Sequence, residues 1–72
     1  MSGLCKRSFT LARHRTSVAL EPAFWSALEQ IAAASGQTLL ALVTAADTAR
    51  DPATGLASAL RLLALAAARQ DR

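Results

Sequence analysis

The chain has 72 residues, 53% of them hydrophobic, and a formal charge of +3 at pH 7. A single domain this short buries only about 60% of the surface that its unfolded chain exposes, so it is often marginal as a monomer without a further support. One cysteine, Cys5, excludes an intrachain disulfide and leaves no zinc-binding set. Oligomerisation is the support that remains. A lone thiol suits a reducing compartment, and a cytoplasmic location is expected.

The charge is uneven. Lys6, Arg7, Arg13 and Arg15 all precede the first acid, Glu21, which gives +4 over residues 1–20. Residues 21–72 carry Arg50, Arg61, Arg69 and Arg72 against Glu21, Glu29, Asp47, Asp51 and Asp71, or −1. A basic end on a near-neutral body points to a polyanion at that end. The simpler alternative is a solvated basic tail. Residues 1–15 lack an apolar core of signal-peptide length. Their acid-free, Arg- and Ser-containing composition also suits a mitochondrial presequence, but their alternation argues for a strand over an amphipathic helix. The stretch from Leu56 to Ala68 is too short to span a bilayer and contains Arg61, so no membrane partner is expected.

In chain order, residues 1–5 read as a disordered end. Lys6 to Leu11 alternates, with Phe9 and Leu11 on one side and Ser8 and Thr10 on the other. A strand over 6–11 could pair with the next one as a hairpin. The intervening Ala12-Arg13-His14 has no Gly, Asn or Asp, so the turn signal is weak. Residues 15–20 alternate clearly. Thr16, Val18 and Leu20 share one face, and Arg15, Ser17 and Ala19 share the other. Everything after Leu20 reads as helical, so this strand is short of partners. The simplest remedy is the same strand from a second copy, forming an antiparallel ribbon. Such a ribbon fits the major groove of DNA.

Pro22 suits the first position of a helix. Phe24, Leu28, Ile31, Ala32 and Ser35 make its stripe, with Trp25 at the flank. Gly36 stands just past its end. A second helix is predicted with Thr38 as N-cap and Leu39, Leu42, Val43 and Ala46 as its apolar face, ending near Arg50 before Asp51-Pro52. A third runs over 56–70. It is apolar on nearly every side, with Leu60 and Leu63 as its expected buried residues, so it is expected to pack across the dimer, with another subunit as cover, or onto the first two helices. Trp25 fits core or dimer packing better than base stacking.

These residues, in this order, resemble the ribbon-helix-helix DNA-binding proteins. The stretches Lys6–Leu11, His14–Trp25, Gly36–Leu39 and Leu56–Arg61 are similar to one small bacterial subgroup with a basic arm and an extra C-terminal helix. The resemblance implies a mainly α fold with one short β-strand, paired across a homodimer, and a third helix. A basic arm over 1–14, with 6–11 as an optional extra strand, would precede the domain proper over 15–72. It further implies a transcriptional regulator that binds double-stranded DNA. Arg15, Ser17 and Ala19 would face the bases. Lys6, Arg7, Arg13 and His14 would meet the DNA backbone, together with the helix end Thr38-Leu39-Leu40. Ala19 departs from the polar residue common at its position. It can touch a thymine methyl but cannot hydrogen-bond a base. For His14 the simpler alternative is a loop histidine with no role.

Nothing in the chain spaces a Ser-His-Asp or Cys-His set, paired carboxylates or a glycine-rich phosphate loop. The expectation is therefore no enzyme, no cofactor and no metal. Two further classes compete with DNA binding. One is an antitoxin-like interaction module that binds a partner protein through helix 56–70, and the other is a dimeric scaffold.

Overall fold

The computed structural model describes residues 3–70 of the chain. A two-stranded antiparallel sheet comes first, β1 (Cys5–Leu11) and β2 (His14–Leu20). Three helices follow, α1 (Pro22–Ala34), α2 (Leu39–Ala49) and α3 (Leu56–Gln70). The strands pair residue for residue from Cys5 opposite Leu20 to Leu11 opposite His14.

This pairing realises the hairpin that the alternation over 6–11 left open, and it replaces a single strand partnered only by a second copy. Strand β1 begins at Cys5, inside the segment read as disordered. The fold thus has two strands per chain instead of one. Ala12 and Arg13 form the turn with φ of 50° and 70°. Both lie in the left-handed region that a two-residue type I′ turn requires, although neither is Gly, Asn or Asp. Seven paired positions on each strand hold a turn that its own residues do not favour.

One face of the hairpin covers the helices. Leu11, Val18 and Leu20 are buried in one core cluster with Trp25, Leu28 and Ala32 of α1. Leu42 and Val43 of α2 and Leu56, Leu60 and Ala64 of α3 complete the core. The α1 stripe keeps the expected Leu28 and Ala32 at its centre, while Trp25, expected at the flank, is buried beside them and Phe24 and Ile31 are half-buried. Trp25 is only 1% exposed, and its indole N–H donates to the Cys5 carbonyl at 2.6 Å. That bond satisfies the one polar atom of a large buried ring and ties the start of β1 to α1.

The helix ends follow from their residues. Pro22 opens α1. Gly36, at φ +68°, closes it. The Gly36 N–H donates to Ala33 and the Gln37 N–H to Ala32, a paired closure that the left-handed residue permits. Thr38 caps α2, its Oγ1 accepting from the Ala41 N–H at 3.0 Å. Helix α3 is fastened to the strand–helix junction by Arg61, whose guanidinium makes two bonds to Glu21 and lies over Phe24. Glu21 is held below its ordinary pKa, first by its own backbone N–H and then by Arg61.

Two expectations for α3 are sharpened. Leu60 is fully buried, but Leu63 is only half-buried, and Ala64 sits inside instead. Leu62 and Leu65 stay about half exposed. Among the described residues no helix is long and apolar enough to cross a membrane.

Candidate nucleic-acid interface

Alternation along two paired strands sorts the hairpin into two chemically distinct faces. Arg7, Phe9, Thr16 and Val18 point toward the helices. Their neighbours Lys6, Ser8 and Thr10 on β1, and Arg15, Ser17 and Ala19 on β2, point away. Across the outer face Lys6 stands opposite Ala19, Ser8 opposite Ser17, and Thr10 opposite Arg15. All but the half-buried Ala19 are exposed. Neither strand carries an acid. The Ser8 and Ser17 hydroxyls lie 3.0 Å apart and share a hydrogen bond.

Electrostatics concentrate on this face because three of the arginines away from it are held in ion pairs. Arg7 pairs with Glu29 at 2.7 Å, Arg50 with Asp47 at 2.9 Å, and Arg61 with Glu21 at 3.0 Å. Asp51 accepts the Ala53 N–H in the loop before α3. Among the described residues, Lys6, Arg13 and Arg15 form no ion pair. They lie together on the strands and the turn that joins them.

Arg15, Ser17 and Ala19, singled out as base-facing, thus share the open face with Lys6. Arg13 and His14 lie at the tip, in the turn and the first position of β2. Arg7 does not join them. It faces α1, where its guanidinium lies 4.9 Å from the centre of the Trp25 ring while bonding Glu29. The Glu29 hydrogen bond holds its charge more firmly than usual. Its place is a clasp between hairpin and helix. The other anticipated group, Thr38-Leu39-Leu40, forms the first turn of α2, with no acid in that turn. The Leu39 and Leu40 amides have no acceptor within the helix by geometry, and such an end favours an anion.

Sequence reasoning left out Ser8 and Thr10. Their place on the polar side of 6–11 was visible. Only a fixed hairpin register puts them beside Arg15 and Ser17.

A family model described as the ribbon-helix-helix domain matches residues 4–68. No curated protein and no solved structure matches the chain.

Proposed function

The chain belongs to the ribbon-helix-helix family, and from that premise we propose that it is a sequence-specific DNA-binding transcriptional regulator acting as a homodimer. The family is in general one of DNA-binding regulators. The observation that carries the reading is the outer face of the hairpin. It carries no acid, and among the described residues its Lys6 and Arg15 form no ion pair.

The dimer forms through the edge of β2 that β1 leaves open. A two-residue turn makes Leu11 and His14 a hydrogen-bonded pair. By alternation, Arg15, Ser17 and Ala19 then turn their backbone N–H and C=O outward. A second copy's β2 meets that edge antiparallel, with the two-fold axis at Ser17. The result is a four-stranded sheet in the order β1-β2-β2-β1. Its two central strands enter the major groove, where Arg15 and Ser17 meet base edges and Ala19 meets a thymine methyl. Lys6, Arg13, His14 and the first turn of α2 attract the DNA backbone.

Selection of bound duplexes from a random pool tests this. A recurrent, two-fold-related site should emerge. Binding should weaken steeply with salt, by a log–log slope of about 0.9 per phosphate contact. Retention of the pool without enrichment, or salt-insensitive binding, would refute it. A second reading rests on Leu62 and Leu65, exposed on α3. In that reading α3 binds a partner protein, and co-purification that persists at high salt would favour it.

A further inference from the structure

Strand β1 repeats the outer-face chemistry of β2 with milder groups. Lys6, Ser8 and Thr10 lie exposed in a row, opposite Ala19, Ser17 and Arg15. Buried structure uses none of the three side chains. Their one described contact is the Ser8–Ser17 hydroxyl pair at 3.0 Å. In that pair one hydroxyl donates to the other, so the accepting hydroxyl keeps its proton for an outside acceptor.

The groove sets what these residues can reach. Strands in a sheet lie about 4.8 Å apart, so the two β1 strands of the four-stranded dimer are about 14 Å apart. The major groove is about 12 Å wide and admits a two-stranded ribbon. The central β2 strands therefore fill it, and the outer β1 strands fall over its walls, which are sugar and phosphate. Hydroxyl donors beside an ammonium suit a phosphodiester oxygen.

We infer that β1 is a phosphate-gripping strand, in which Ser8 and Thr10, together with Lys6, bind the DNA backbone flanking the bases that β2 reads. This rests on the DNA-binding reading above. It assigns the two hydroxyls to positioning and not to base choice. Because they are uncharged, they displace no counterion of their own.

The test uses the full chain and a duplex recovered by selection. The paired variant Ser8→Ala/Thr10→Val keeps side-chain shape and strand preference. It should bind the selected and the scrambled duplex about tenfold more weakly, as expected for lost hydrogen bonds to an ionised acceptor. The ratio between the two duplexes should not change. Neither should the slope of affinity against salt. Lys6→Ala should flatten that slope instead. An altered ratio would make the hydroxyls base readers and overturn the proposal, and unchanged affinity would take β1 off the DNA. Neutral methylphosphonates at the phosphates flanking each half-site keep the test independent of the variant's folding. They should weaken wild-type binding, and unchanged wild-type binding would overturn the proposal. Wild-type protein with no affinity for any duplex would instead remove the DNA-binding reading itself.

Discussion

Ala12 and Arg13 hold the left-handed region in succession, where a residue with a Cβ is strained by about 1–2 kcal/mol. The hairpin tip is therefore a place where stability can be gained. Ala12→Asn, which tolerates that conformation, should stabilise the chain by about 0.5–1 kcal/mol. Thermal melting should rise by several degrees. An unchanged midpoint would mean that the turn carries no such strain. The same turn explains why the hairpin was only weakly legible. Its residues argue against it, and the pairing of Cys5–Leu11 with His14–Leu20 outweighs them. Neighbouring cations show how much one position matters. Lys6 and Arg7 look alike in sequence, yet one faces outward and the other bonds Glu29 beneath the sheet. Arg7→Ala should lower stability by about 1 kcal/mol through the lost ion pair and ring contact. It should leave the salt dependence of DNA binding as it was. Lys6→Ala should do the reverse. Denaturant melts and salt titrations of the two variants check this.

Among the elements, the helices were the most legible because their ends carry explicit chemistry. Pro22, Gly36 and Thr38 do in the structure what their types suggest at those positions. Which residues face inward was harder. In α1 the large Trp25 takes the core position next to the Phe24 line, since the Cys5 carbonyl offers its N–H a partner. In α3 the apolar residues on every side hid the buried stripe, which proves to be Leu56, Leu60 and Ala64. Leu60→Ala should thus cost about 2–5 kcal/mol, while the half-buried Leu63→Ala should cost distinctly less. Equilibrium unfolding of both variants checks the order. Equal losses would place Leu63 in a second interface, such as the cover of α3 by another subunit.

For the whole molecule, two features fit together: a hairpin with an open β2 edge and a body in which Arg50 and Arg61 are paired with Asp47 and Glu21. Basic clustering before Glu21 made the location of the site legible, but not its depth. Only the register shows that the outer face has two rows, whereas the absence of Arg7 from it follows from alternation with Phe9 and Leu11. If the second copy joins along β2, Ser17→Pro should block association while sparing the hairpin, because the Ser17 N–H points away from β1 in that geometry. Sedimentation at micromolar concentration should show dimer for wild type and folded monomer for the variant. A variant that remains dimeric would move the interface elsewhere, with exposed Leu62 and Leu65 as the next surface to examine.

The central claim is that the outer face of β2 reads base sequence, and Arg15 tests it most directly. The measurement is the affinity ratio between a selected and a scrambled duplex, for wild type and for Arg15→Ala, at fixed salt. Loss of a base-reading arginine should cost about 1–3 kcal/mol on the selected site and relax the choice of base at one position in each half-site. The ratio should therefore fall. If Arg15→Ala weakens both duplexes equally and keeps the wild-type ratio, Arg15 touches only the backbone, and the claim that β2 reads sequence through it is contradicted.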